Sequence, residues 1–315
     1  RKAIGSGPFT VADFQPGHSL KLARSDTYHG TKAASNVVEF MQYSDADALS
    51  KALTDGSLDM AAPVSASTAT GLNGKDGLTV KEGATTDKVL LAYNNGTDSL
   101  LSDEQARKAF RYQIDAAGIA SAQPDAAGAL GGPISLLEPG YEDLTGLYPH
   151  DENQAGQMFS YFGAQYLTTV NLVVPEEYRS LAETIKQQIE RQPRPTVNLE
   201  VLSDEDYAKR IKDGKWELTV MSMDGTDDAG IFADPDSMFH YDHTEAQQAY
   251  ADARAATNDA DYEARMKAYA RLISEDAASD WLYTRKCFTV ASTKVSGYPT
   301  SMINRRMPLA GLTVK

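Results

Sequence analysis

The densest group of residues able to do chemistry is acidic: Asp224-Gly225-Thr226-Asp227-Asp228, with Asp234 and Asp236 close behind. Carboxylates at this spacing suit a charged-ligand contact, a cation cage or a solvated turn. A calcium loop needs the Asp-x-Asp-x-Asp-Gly order and a glutamate at its twelfth position, and this segment has neither. His240-Tyr241-Asp242-His243 puts two imidazoles at i and i+3. With no Cys or third His nearby, a polar loop ahead of a helix is the better reading, and no metal site is expected. The other histidines, His18, His29 and His150, leave a Ser-His-Asp set open by count, but no Gly-x-Ser-x-Gly elbow occurs. Gly5-Ser6-Gly7 and the glycines from Gly128 to Gly132 lack the strand–loop–helix setting that cradles nucleotide phosphates, so no cofactor is expected. Asp234-Pro235-Asp236 reads as a turn rather than an acid–base pair. Cys287, inside the apolar run to Val290, reads as a small buried side chain. An enzyme is therefore not expected, and a hydrolase with an unrecognised site is the alternative of another class.

Composition narrows the partners. The chain has 315 residues, 42% hydrophobic and 23% charged, with a formal net charge of −14 and no basic run. Phosphate backbones and anionic membranes are poor partners for such a surface, and no nucleic-acid binding is expected. No stretch approaches the roughly 20 apolar residues that span a bilayer. One cysteine cannot form a disulfide framework. Arg1-Lys2-Ala3-Ile4 has neither an initiator Met nor a signal-peptide core, and Ile4 to Thr10 already reads as the beginning of a structured segment. The native sequence is expected to begin further upstream.

The elements that must position these residues alternate. Phe9–Phe14 and Leu20–Ala23 read as a hairpin around Gln15-Pro16-Gly17-His18, followed by a strand at Val37–Met41. A short helix from Asp45 to Leu53 ends at Asp55-Gly56, and Leu58–Ala61 follows as a strand, so that 37–61 reads as a βαβ-like crossover. Val89–Tyr93 is a further strand. Ser102 reads as an N-cap with Gln105 completing a capping box, ahead of a helix stripe of Ala106, Phe110 and Ile114. Residues 120–150 read as one long loop. Strands at Val170–Val174, Val197–Val201 and Trp216–Met221 alternate with helices carrying Tyr178–Ile189 and Tyr207–Ile211, which predicts a parallel sheet covered by helices. Ligands of such sheets sit at the carboxyl ends of strands, so the segment after Met221 is the place to look. Two amphipathic helices follow, from Thr244 to Thr257 and through Tyr262, Met266, Tyr269 and Ile273. Trp281–Tyr283 and Phe288–Ala291 read as two strands.

Four passages in order resemble a known family. Gly5-Ser6-Gly7-Pro8-Phe9 through Tyr28 and Gly30 is similar to the G-T-G-P-Y…N-x-x-Y-W-G passage of the dipeptide/oligopeptide-binding proteins (family 5 extracellular solute-binding proteins) of ABC transporters. Ala48, Leu49, Leu53, Gly56 and Asp59-Met60-Ala61 resemble its A-L-x-x-G-E-V-D-I-A stretch. Asn94-Asn95, Leu101-Ser102-Asp103, Ala106-Arg107-Lys108-Ala109 and Ile114-Asp115 match the third, and Trp216-Glu217-Leu218 with Asp234-Pro235-Asp236 the fourth. This sequence departs from the pattern at His29, where Trp is usual, and at Ser222-Met223, where Gly-Trp is usual. Thr226–Phe232 is an apparent insertion.

The resemblance implies an α/β, periplasmic-binding-protein-like (type II) fold, with one complete lobe plus an incomplete first lobe. Residues 1–95 and 286–315 would form partial lobe one and residues 96–285 lobe two, with crossings near Asn94–Gly96 and Tyr283–Lys286. It implies an extracellular or periplasmic component, lipid-anchored through a missing N-terminal segment. Such a component would bind a peptide or similar small solute by lobe closure and deliver it to ABC permease subunits. An oligosaccharide or metal chelate is the alternative solute, and a monomer is expected. In the relatives an aspartate of the acidic loop pairs with the ligand's α-ammonium, which carries over to Asp227, Asp224 and Asp228, with Met223 beside them. Lacking part of lobe one, the chain would bind its solute weakly or not at all.

Overall fold

A computed structural model describes residues 5–161, 169–304 and 306–315. Ile4, read above as part of the first structured segment, lies outside them. The chain divides into two compact units, residues 1–84 with 286–315 and residues 85–285.

The first unit opens with a three-stranded antiparallel sheet, β1 (Phe9–Gln15), β2 (Ser19–Arg24) and β3 (Val37–Met41), in that order. The register sets Val11, Leu22 and Val38 in one row and Phe14, Leu20 and Phe40 in another. Rows two residues apart share a face, so all six apolar side chains line one side. That side is open: Phe14 is 62% exposed and Phe40 45%. Helix α1 (Ala46–Asp55) is capped by Asp45, whose carboxylate accepts the Ala48 N–H at 2.7 Å, and it stops at Gly56, where φ is 79°. Strand β4 (Met60–Val64) and helix α2 (Ala66–Leu72) follow. The expected crossover across 37–61 is not formed: β3 pairs with β2, whereas β4 pairs antiparallel with a strand near the carboxyl end. Spacing showed strand, helix and strand, but not which partners the strands would take.

Strand β5 (Leu78–Tyr93) is longer than its apolar run and carries the chain into the second unit. Helix α3 (Glu104–Gln113) is capped by Asp103, which accepts the Gln105 and Ala106 N–H groups, rather than by Ser102. Ser102 belongs to the preceding 3-10 turn and its hydroxyl donates to the Ser99 carbonyl at 2.8 Å. Residues 120–150, expected as loop, contain the end of α4 (Ala116–Ala122) and a short strand β6 (Ala126–Ala129). Then come α5 (Glu152–Tyr161), β7 (Thr169–Pro175), α6 (Arg179–Ile189), β8 (Thr196–Leu202), α7 (Asp204–Lys212), β9 (Leu218–Met223), α8 (Thr244–Arg254) and α9 (Asp259–Glu275). The two strands expected at 281–291 are one, β10 (Ser279–Ser292), because its backbone ladder continues past the polar Thr284–Lys286. Its far half pairs with β4 in the first unit, which ends in the small pair β11 (Val295–Ser296) and β12 (Thr313–Val314).

In the second unit β7 runs parallel to β8 and β9, and β5 closes on β9 antiparallel. Alternation along β5 sorts its side chains into two cores. Val89, Leu91 and Tyr93 pack with Phe110, Phe159 and Ile185 from α3, α5 and α6. Leu90 and Ala92 face the other way, with Trp216, Phe232, Met266, Tyr269 and Trp281. Helices therefore cover both faces of the sheet. This explains the unbroken apolar run, since a strand buried on both sides has no polar positions.

Candidate functional site

Strands β7, β8 and β9 end together at Pro175, Leu202 and Met223. Just beyond lie Tyr178 and the acidic turn, which runs into a 3-10 turn at Asp228–Ala233. Open α/β sheets offer ligands this end, because strand termini leave backbone groups and loops there.

The structure gives the sequence-derived candidates different surroundings. Met223 is the last residue of β9, half-buried and paired in register with Lys88 of β5. Asp224 follows it, half-buried, and its carbonyl accepts the Thr86 hydroxyl at 3.0 Å. Asp227 is exposed: its carboxylate accepts the Tyr250 hydroxyl at 3.0 Å and lies 3.3 Å from the Arg254 guanidinium, tying the turn to α8. Tyr250 is pushed up to about 12 by burial, with the Asp227 charge adding to it. Asp228 turns inward, where Lys88 Nζ lies 3.0 Å from Oδ1 and the Gly225 N–H donates to Oδ2 at 2.9 Å.

Lys88 was not among the candidates, nor was Glu138. The Lys88 ammonium is 2.8 Å from Glu138 Oε2, and it donates to the carbonyls of Thr86 at 3.1 Å and Gly225 at 3.2 Å. The Ser135 N–H donates to the same Glu138 oxygen at 2.8 Å. Burial pushes Asp228 up to about 6, against the opposing pull of Lys88. A nearby group joins Arg285 to Tyr178, with Nη2 donating to the hydroxyl at 3.2 Å, and to Asp125 at 3.3 Å. One sequence signal marked Lys88: it is a cation set directly against the apolar run Val89–Tyr93. Glu138 carried no such mark, because it lies in a segment without periodicity.

The other motifs take structural roles. His243 is the N-cap of α8, its Nδ1 accepting the Ala246 N–H at 3.2 Å. Asp234 closes a turn by accepting the Asp236 N–H at 3.0 Å. Cys287 is buried, and burial pushes its thiol up. Among the described residues no His, Cys, Asp and Glu group could hold a metal ion, and no helix is long and apolar enough to cross a membrane.

A search of curated proteins finds no match. Among solved structures, the ABC-transporter substrate-binding protein CtaP of Listeria monocytogenes superposes with a TM-score of 0.85 at 16% identity, over 98% of this chain and 67% of that one. The oligopeptide-binding protein AppA of Bacillus subtilis, solved with a nonapeptide, gives 0.72 at 17% identity, over 99% and 67%. NikA of Brucella suis, solved with Fe(III)-EDTA, gives 0.79 at 16% identity, over 99% and 68%. The chain thus spans about two thirds of the length of each, and the likeness supports the periplasmic-binding-protein-like α/β fold. A sequence profile described as bacterial extracellular solute-binding proteins, family 5, middle part, matches residues 1–250. That family consists of solute-binding proteins rather than enzymes, and this chain belongs to it.

Proposed function

We propose that the chain is the solute-binding part of an ABC importer for peptides, and that the solute's ammonium meets the acidic turn at the end of β9. The observation that carries this is the placement of Asp224 through Asp228 at the shared carboxyl end of three parallel strands. Asp227 meets Arg254 and Tyr250 and Asp228 meets Lys88, so the turn offers carboxylates in different surroundings, and Asp227, Asp224 and Asp228 each stand as candidate contacts. A carboxylate–ammonium hydrogen bond is stronger than a neutral one, which suits a peptide amino terminus. A metal chelate, as in NikA, is the second reading. An anionic chelate would meet like charge at this turn, which favours the peptide.

The same reading includes lobe closure on the solute, delivery to a membrane permease, a monomeric state and a lipid anchor outside these residues. Native mass spectrometry of the protein from its own cells, read for co-purified solute, tests the solute class. Calorimetry with trialanine on Asp224→Ala, Asp227→Ala and Asp228→Ala tests the turn. A loss of affinity is expected in at least one of the three, and unchanged affinity in all three removes the turn from the site.

A further inference from the structure

Lys88 is 1% exposed, in a strand whose next five residues are wholly buried apolar side chains. A buried ammonium is costly unless its charge and its donors are met, and an apolar side chain would fill the position at lower cost. Its contacts come from separate stretches of chain: Thr86 on its own strand, Gly225 and Asp228 on the turn after β9, and Glu138 on the loop that begins at Ser135. The two outer stretches are closed by the same carboxylates. Asp228 bridges Lys88 with one oxygen and the Gly225 N–H with the other, while Glu138 Oε2 takes both Lys88 and the Ser135 N–H. Apolar packing would permit the turn to slide, whereas directed hydrogen bonds around one ammonium fix its orientation.

We propose that Lys88 is a positioning residue that clamps the Asp224–Asp228 turn and the Ser135–Glu138 loop onto β5, and so sets the direction in which that turn is presented to a solute. The proposal rests on the reading of that turn as the solute-contacting element. It also deepens that reading. One ammonium faces two carboxylates, so with both ionised the cluster retains one negative charge beside Asp224, which favours a solute that brings a cation.

Amide hydrogen exchange on the 315-residue chain tests the clamp. In Lys88→Met the Gly225 and Ser135 amides should exchange about tenfold faster or more, while Val220 within β9 keeps its protection. Retained protection at Gly225 and Ser135, or an equal loss at Val220, overturns the proposal. Should Lys88→Met fail to fold, Asp228→Asn decides: Gly225 should accelerate and Ser135 stay protected, and acceleration of both or neither counts against the clamp. The groups facing the Asp228 carboxylate are Lys88, Glu138 and the Gly225 N–H. The Gly225 amide signal should therefore titrate with Asp228, and its midpoint should rise in Lys88→Met; a Lys88 that merely fills space would leave it unmoved. Trialanine titrated into wild type, Asp224→Ala, Asp227→Ala and Asp228→Ala separates the two ideas. Equal heats of binding in all four proteins withdraw the solute reading, while the exchange result still stands on its own.

Discussion

Arg111 of α3 and Asp280 of β10 face each other at 3.1 Å, each side chain only 4% exposed. Arg111 also donates to the carbonyls of Ser279 and Gly131 and lies over the rings of Tyr148 and Trp281. The pair fastens the helix to the sheet inside the second unit. Burial pushes the Asp280 carboxyl up, with Arg111 opposing. Removing one partner strands the other charge, so Asp280→Asn or Arg111→Met should cost about 3–5 kcal/mol. Thermal denaturation should show a Tm fall of roughly 10 °C, and a fall no larger than that of a surface substitution would show that the pair is dispensable.

Asp228 makes stability depend on pH with a definite sign. Its pKa is about 6 in the folded protein against 3.8 for the ordinary group, so the native state holds this proton more tightly than the unfolded chain. Its contribution is fully present below about pH 4 and is lost as pH rises through about 6. Urea midpoints measured across that range should decline in wild type relative to Asp228→Asn, and parallel profiles would contradict the assignment.

The Asp227–Arg254 pair should behave otherwise. Both side chains are about half exposed, at 50% and 55%, and exposed ion pairs are screened by solvent and salt. Arg254→Ala should leave Tm within measurement error, while Lys88→Met should not. A large Tm change in Arg254→Ala would show that the turn depends on α8 more than on Lys88.

Two glycines differ in what opposes them. A Cβ on Gly131 would overlap the Leu144–Thr145 backbone, whereas one on Gly230 would overlap the Tyr250 ring and hydroxyl. Backbone in a packed core yields less than a partly exposed side chain, so Gly131→Ala should cost about 1–3 kcal/mol and Gly230→Ala less. Chemical denaturation of both variants checks the order.

The open face of the β1–β3 sheet should tolerate charge. Phe14→Lys and Phe40→Lys remove exposed apolar surface without opening a cavity, and a stability change within about 0.5 kcal/mol is expected. Binding of a hydrophobic dye should fall in both, and undiminished fluorescence would place the dye elsewhere.

By itself the sequence determined the elements that depend on local chemistry. Asp45 and Gly56 bound α1, since a carboxylate can cap the first turn and glycine adopts the left-handed stop. The repeat of Ala106, Phe110 and Ile114 marks the buried stripe beginning in α3, and the acidic residues after β9 mark the turn at the carboxyl end of that strand. Strand partners were beyond its reach: the β4–β10 pairing and the continuity of β10 are backbone hydrogen bonds, which leave no trace in residue type. The fate of each carboxylate also waited on the tertiary structure. Asp227 and Asp228 are neighbours of identical chemistry, yet one faces solvent and Arg254 and the other a buried Lys88. Side-chain direction in a tight turn is set by what packs beneath it, and Lys88 and Glu138 reach that place from distant parts of the chain.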